Sequence, residues 1–133
     1  MAGNCSHGEV RLVGGSNDTL GRVEVCINNA WGTVCNSRFG TVDARVICQQ
    51  LGFSPTGKNG KKPALVQMLV LFLVARAYRS STTAMFGQAS GPIFLNSLAC
   101  AGTELTILNC PQSDFGFNQC DHSQDAGIQC YGE

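Results

Sequence analysis

The sequence lacks an apolar run long enough to cross a membrane. Its longest uncharged apolar stretch, ALVQMLVLFLVA, has twelve residues, 64–75, and is bounded by Lys61, Lys62 and Arg76. A helix that spans the hydrocarbon layer needs about 20 residues. The stretch also lies mid-chain, where a secretory signal would not be found. We therefore expect it to be part of the domain and not a membrane span.

Net charge is also absent, because nine Lys and Arg residues balance nine Asp and Glu residues. This balance argues against nucleic acid as a partner and leaves electrostatic recognition to a local patch. No phosphate-binding glycine loop or nucleophilic serine elbow occurs in the sequence. Composition and motifs therefore do not predict an enzyme, and we assign no catalytic residue.

Closely spaced cysteine pairs of the CxxC kind are missing, although the chain contains eight cysteines. Structural zinc sites are normally built on such short ligand turns, so zinc is disfavoured. An even number of well-separated cysteines is typical of small domains in an oxidising compartment. We therefore expect four disulfides and an extracellular location, in a secreted protein or in the ectodomain of a membrane protein. Pairing would use every thiol and would exclude a cysteine nucleophile.

Two glycosylation patterns agree with export. Asn4 and Asn17 each begin an N-x-[ST] sequence, and both predict exposed positions on a glycoprotein. No signal peptide precedes the first strand, so we expect a mature fragment or a domain excised from a longer chain.

The sequence between residues 9 and 52 changes its hydrophobic period once. GRVEVCINNAWGTVC alternates, with Val23 and Val25 on one face, which predicts half-buried antiparallel strands. TVDARVICQQLG follows a helical period, with Thr41 as the expected cap and Gly52 as the expected end. The pattern predicts a strand meander followed by one helix.

Five stretches occur in a characteristic order: GRVEVCINNAWGTVC, DARVICQQLGF, FGQASGPIFL, CAGTELTILNCP and CDHSQDAGIQC. Together they closely resemble the scavenger receptor cysteine-rich (SRCR) domain family, over about residues 9–130. The resemblance implies an α+β fold in which a curved antiparallel β-sheet cradles one α-helix. It divides the chain into an N-terminal segment, 1–8, and an SRCR domain, 9–131. Residues 58–77 fall outside the resemblance and are interpreted as an apolar insertion.

The resemblance also implies a disulfide pairing, which spacing alone leaves open among about 100 connectivities. The three bridges shared by the family correspond to Cys35–Cys120, Cys48–Cys130 and Cys100–Cys110. Cys5 and Cys26 remain, and we infer that they form a fourth bridge between the N-terminus and the sheet.

A calcium site is the next feature that the resemblance implies. Several family members hold calcium with an Asp pair after the cysteine of WGTVC and a glutamate after the fifth shared cysteine. In this chain Asn36 and Ser37 replace the aspartates, whereas Glu104 is retained. Calcium takes about six to eight oxygen ligands, with carboxylates foremost. We therefore expect a weak metal site at most and no required cofactor.

A basic cluster flanks the insertion and is the candidate ligand-binding patch. Its members are Lys58, Lys61, Lys62, Arg76 and Arg79. They would give local positive potential on a neutral protein. The alternative is that they only solvate the ends of a hydrophobic segment.

His122 and Trp31 are the remaining residues whose chemistry suggests a role. His122 next to Asp121 suggests acid–base chemistry, but in a tight segment between cysteines such side chains more often bond to turn backbone. Trp31 is the single tryptophan and starts a strand, so we expect it to pack in the core.

The resemblance implies a ligand-recognition module of a scavenger-receptor-type protein, as in innate immunity. The expected partners are polyanionic ligands, microbial surfaces or host proteins. The alternative is an accessory domain that positions substrate for an attached extracellular protease or oxidase. In both cases the domain itself is not an enzyme. An exposed apolar insertion would in addition favour self-association.

Overall fold

The computed structural model describes residues 5–52, the backbone of residues 75–78, and residues 86–112 and 120–130. These ranges contain six β-strands, one α-helix and two short 3-10 helices. The strands are β1 (Val10–Gly14), β2 (Leu20–Ile27), β3 (Ala30–Val34), β4 (Ala75–Tyr78), β5 (Ile93–Leu95) and β6 (Gly127–Cys130). Helix α1 spans Thr41–Gln50, and the 3-10 helices span Ile107–Asn109 and His122–Gln124.

The strands form one sheet with the long strand β2 at its centre. β2 pairs antiparallel with β1, β3 and β6, and β4 pairs antiparallel with β6. β5 pairs parallel with β3, which differs from the expected antiparallel sheet. Parallel pairing needs a long crossover, and the chain between β3 and β5, which includes α1, supplies it. Helix α1 contacts β4 and β6, and this arrangement confirms the α+β class.

Strand β2 is covered on both faces and not only on the predicted one. Val23 and Val25 are buried in the core, as the alternation predicts. Glu24 and Cys26, on the opposite face, are buried as well. Cys26 forms a disulfide with Cys5, and Glu24 pairs with two arginines. The polar face of β2 is therefore a packed surface and not a solvated one.

Helix α1 begins differently from the prediction. Thr41 was expected to cap it, and this is wrong, because Gly40 is the N-cap and Thr41 is the first helical residue. Asp43 in the first turn accepts a hydrogen bond from the Gly40 N–H at 2.8 Å and another from the Cys100 N–H at 2.9 Å. Gly52 follows the helix in the left-handed region, as expected of a helix end. No helix in the described ranges is long and apolar enough to span a membrane.

Four disulfides join elements that are distant in sequence: Cys5–Cys26, Cys35–Cys120, Cys48–Cys130 and Cys100–Cys110. These pairs are those implied by the family resemblance together with the inferred fourth bridge. Cys48–Cys130 ties α1 to β6 across 82 residues of sequence. Buried apolar side chains between the sheet and the helix complete the core: Val23, Val25, Val34, Phe39, Val46, Ile47 and Ile128.

The expected insertion, residues 58–77, overlaps the sheet at its C-terminal end. Residues 58–74 lie outside the described residues, but Ala75–Tyr78 forms β4 and pairs with all of β6. A boundary at residue 77 would cut through this strand. The last residues of the expected insertion are therefore part of this sheet.

Removing the Cys48–Cys130 bridge should cost more stability than removing Cys5–Cys26. The two bridges span 82 and 21 residues of sequence, and loop entropy predicts losses of about 4.5 and about 3 kcal/mol. Urea unfolding of the two double Cys→Ala variants measures both values. Equal losses would contradict the loop-entropy explanation and would point to local packing instead.

A deletion that joins Gly57 to Ala75 should leave the disulfide-linked domain folded, because changes in loop length cost little closure entropy. A deletion that joins Gly57 to Tyr78 should melt at a lower temperature, because it also removes most of β4 and uncovers the edge of β6. Sedimentation of both variants shows whether the expected self-association depends on the deleted residues. Identical melting temperatures would contradict a structural role of β4.

Candidate functional site

Side chains from three neighbouring strands meet on one face of the sheet. Arg11 on β1 and Thr33 on β3 both lie opposite Glu24 on β2 in the strand register. Arg22 and Trp31 lie two residues before Glu24 and Thr33, and therefore point to the same side. We call Arg11, Arg22, Glu24 and Trp31 the arginine cluster.

The carboxylate of Glu24 lies at the centre of this cluster. Its Oε1 accepts from Arg11, with Nε at 2.8 Å and Nη2 at 2.7 Å. Its Oε2 accepts from Arg22, with Nε at 3.0 Å and Nη2 at 2.9 Å. The Glu24 side chain is only 6% exposed, and a carboxylate so buried is unfavourable without paired cations. The three groups together carry one net positive charge.

The two arginines differ in exposure and therefore in role. Arg22 is 13% exposed, and its Nη1 donates to the carbonyl oxygens of Phe86 at 3.3 Å and Gly87 at 3.2 Å. Arg11 is 47% exposed, and its Cζ lies 4.0 Å from the centroid of the Trp31 ring, which is a cation–π contact. Arg22 thus supports the cluster, whereas Arg11 presents its charge to solvent.

An open cavity of about 450 Å³ adjoins the cluster. Its lining also includes Gly32 and Thr33 of β3 and residues 88–91. Trp31 is half-buried in this lining, so the expectation that it packs in the core is wrong. The hydroxyl of Thr33 is buried and has no hydrogen-bond partner among the described residues. The cavity therefore combines one cation and one aromatic ring, and one of its lining residues, Thr33, has a buried and unsatisfied hydroxyl.

His122 and Asp125 hold the cavity wall formed by residues 88–91. The His122 Nδ1 lies 2.9 Å from both carboxylate oxygens of Asp125, and its Nε2 lies 2.7 Å from the carbonyl oxygen of Gly91. Asp125 Oδ2 also accepts from the Ala89 N–H at 3.0 Å. Both ring nitrogens of His122 face acceptors, and only the doubly protonated imidazolium donates to both. The wall is thus attached through two titratable side chains, His122 and Asp125.

The surroundings of His122 change its pKa in opposite directions. Burial lowers the pKa of the imidazole, and the charge of Arg22 acts in the same sense. The hydrogen bonds to Asp125 and Gly91, together with the Asp125 charge, outweigh these effects and raise the pKa of His122 above its ordinary 6.5. Asp121 instead caps the second 3-10 helix by accepting from the Ser123 N–H at 2.9 Å. Both side chains have structural partners, as expected of this segment.

The retained glutamate of the expected calcium site is already hydrogen-bonded. Glu104 Oε2 accepts from the Ala101 N–H at 2.8 Å and Oε1 from the Gly102 N–H at 2.9 Å, and these bonds lower the pKa of its carboxyl. The sulfur atoms of Cys100 and Cys110 lie close to it but are bonded to each other. One carboxylate that serves its own loop does not fit the oxygen-rich shell that calcium requires.

The other expected positions are distributed over the chain. Asn36 donates its backbone N–H to the Gln124 carbonyl at 2.7 Å and, like Ser37, contributes no carboxylate to the Glu104 loop. Asn17 is exposed between β1 and β2, and its Oδ1 accepts from the Thr19 N–H at 2.8 Å. Arg76 lies on β4, and its side chain is not described. Outside the described residues lie Asn4, Lys58, Lys61, Lys62 and Arg79.

Sequence reasoning missed the arginine cluster. The signal was present, because Arg22 and Glu24 alternate on the face of β2 opposite the core valines. Their partner Arg11 is 13 residues away from Glu24, and only the β1–β2 register brings the two together.

Comparisons with known proteins give consistent matches. The family model described as scavenger receptor cysteine-rich domain matches residues 13–131. A protein of Patiria pectinifera, described as a scavenger receptor cysteine-rich domain superfamily protein, is 39% identical over 128 residues. That alignment covers 96% of this chain, and the chain spans only 10% of the length of that relative.

Two solved structures share the fold. The third SRCR domain of murine neurotrypsin is 38% identical, with a TM-score of 0.71, and the match covers 94% of this chain and 98% of that chain. The SRCR domain of mouse MARCO in its dimeric form is 34% identical, with a TM-score of 0.60, and the match covers 92% of this chain and 94% of that chain.

The free energy of unfolding should depend on pH through His122. Because its folded-state pKa is raised, the contribution of His122 is complete below the unfolded value of 6.5 and is lost as pH rises through the folded value. Stability should therefore fall across this window, and His122→Gln should flatten the fall. Denaturant titrations at a series of pH values measure it, with His7→Gln as the control. The same slope in wild type and His122→Gln would contradict this role.

Proposed function

The chain belongs to the scavenger receptor cysteine-rich domain family, and we propose that it is an extracellular recognition domain that binds polyanionic ligands, including those of microbial surfaces or host proteins, through the arginine cluster. The observation that carries this proposal is the position of Arg11. Its half-exposed guanidinium is held by the buried Glu24 and lies over the ring of Trp31. A cation fixed in this way loses little conformational freedom when it meets an anion.

The cysteines and titratable groups support a binding role over a catalytic one. All eight cysteines form disulfides, which fits an oxidising, extracellular compartment and leaves no thiol nucleophile. His122 and Asp125 bond to each other and to the backbone of the cavity wall. These contacts fix the wall of the cavity, residues 88–91, and a fixed cavity wall supports ligand binding.

Calcium should play little part in this recognition. Asn36 and Ser37 replace the family acids, and both oxygens of Glu104 accept backbone N–H groups. The basic residues 58, 61, 62, 76 and 79 are a second candidate patch for the same class of ligand. The dimeric form of the mouse MARCO domain supports the expectation that this chain self-associates.

Binding to immobilised heparin, lipopolysaccharide and whole bacteria tests the proposal. Arg11→Gln should weaken binding about tenfold, because a charge-assisted hydrogen bond contributes about 1.5 to 3 kcal/mol. Binding should also weaken as salt is raised and should change little when millimolar calcium is added. Arg38→Gln, which removes an exposed charge outside the cavity lining, is the matched control.

Two results would contradict the proposal. Absence of binding to every ligand in the panel would exclude polyanion recognition by this domain. Loss of binding only in a variant with Lys58, Lys61 and Lys62 changed to glutamine would move the site to the second patch.

A further inference from the structure

We propose that the cavity beside Trp31 binds a single carboxylated sugar residue, such as a uronic or sialic acid unit of a glycan. This inference rests on the proposed function, since it names the ligand unit that the arginine cluster recognises. It is carried by the unused hydrogen-bonding groups of the cavity, by its charge and by its size.

The carboxylate would bind the outer edge of Arg11. Its Nε and Nη2 both donate to one oxygen of Glu24, so one side of the guanidinium is occupied. A guanidinium has five N–H donors, and those of Nη1 have no partner among the described residues. The end formed by Nη1 and Nη2 of this half-exposed side chain therefore remains available as a fork, which matches a carboxylate in a bidentate geometry.

Arg22 does not offer a comparable fork. Its Nε and Nη2 donate to Glu24, and its Nη1 donates to the carbonyl oxygens of Phe86 and Gly87. Arg22 therefore neutralises Glu24 and keeps the cluster net positive, while Arg11 makes the contact. One available cation selects a ligand with a single anionic group at this position.

The remaining lining suits a polyhydroxylated ring. Gln88 and Ser90 line the cavity with exposed polar side chains, and Thr33 adds a buried hydroxyl that lacks a partner in the described part of the chain. A buried hydroxyl without a hydrogen bond is unfavourable, and a sugar hydroxyl that reached it would satisfy it. Trp31 supplies apolar surface for the C–H groups of the ring. A simple carboxylate such as acetate would use only the contact with Arg11.

Size and rigidity agree with a small ligand. The volume of about 450 Å³ is at the lower end of the range for small-molecule sites, about 300 to 1,000 Å³. One wall is fixed by strands β1–β3 and the other by the bonds of Asp125 to Ala89 and of His122 to Gly91. A site that is formed before the ligand arrives loses less freedom on binding.

The single tryptophan makes the test direct, because all tryptophan fluorescence comes from the cavity. The folded domain is titrated with the methyl glycosides of glucuronic acid and of N-acetylneuraminic acid, with methyl glucoside and with acetate. A saturable fluorescence change is expected for one or both carboxylated sugars, and at least tenfold weaker responses for methyl glucoside and acetate. The two acidic sugars distinguish a uronic acid from a sialic acid ligand.

Two variants and one control assign the response to the cavity. Arg11→Gln should weaken the acidic sugar about tenfold or more, whereas Arg38→Gln should not. Thr33→Val keeps the shape of the side chain and removes the hydroxyl, so it should weaken the sugar roughly two- to tenfold without lowering the melting temperature. A lower melting temperature in Thr33→Val would show that the hydroxyl has a structural partner, and would contradict its role in sugar binding.

The inference and the proposed function fail in different ways. Heparin binding that depends on Arg11, with no saturable response to either acidic sugar, would overturn the cavity site and leave the proposed function intact. Equal affinity for acidic and neutral sugars would overturn the role of the carboxylate. Absence of both sugar and heparin binding would overturn the two proposals together.

Discussion

The buried carboxylate of Glu24 is the interaction on which the rest of the site depends. It lies on the strand that pairs with three others, and each of its oxygens accepts from a different arginine. Through Arg11 it fixes the position of β1, and through Arg22 it reaches the chain at Phe86 and Gly87. Removing either arginine would leave one oxygen of this buried carboxylate without its hydrogen-bond donors, so the three side chains behave as one unit.

A second side-chain contact, the hydrogen bond between His122 and Asp125, fixes the opposite side of the cavity. Asp125 has no exposed side-chain surface and accepts both from His122 and from the Ala89 N–H. His122 extends the connection to the Gly91 carbonyl. Each side of the cavity is therefore held by a buried carboxylate: Glu24 through two arginines, and Asp125 through His122 and the Ala89 N–H. This explains how an open, polar cleft keeps its shape.

The disulfides allow a small domain with such a polar cleft to remain stable. Cys48–Cys130 joins the helix to β6, and Cys35–Cys120 joins the end of β3 to the segment that carries His122. The second bridge thus links a strand of the arginine cluster to the opposite wall of the cavity. Covalent links restrict the unfolded chain, so less of the stability must come from apolar packing. Polar groups can then occupy one face of the sheet.

The sequence by itself determined the class of the domain. Separated cysteines in even number indicated disulfides, the period-two pattern around Val23 indicated strands, and the helical period around Val46 indicated the helix. These signals are local, because they indicate which side chains of a segment face water and which face its nearest neighbours. The pairing of the cysteines followed from the family resemblance and not from their spacing.

Only the tertiary structure decided what those elements bring together. Arg11 meets Glu24 because β1 and β2 pair in one register, and a shift by one residue would place them on opposite faces. Trp31 is only half-buried because it lines the cavity. Ala75–Tyr78 belongs to the sheet because it pairs with β6. Register, ion pairs and strand edges are relations between distant segments, and no periodicity within one segment contains them.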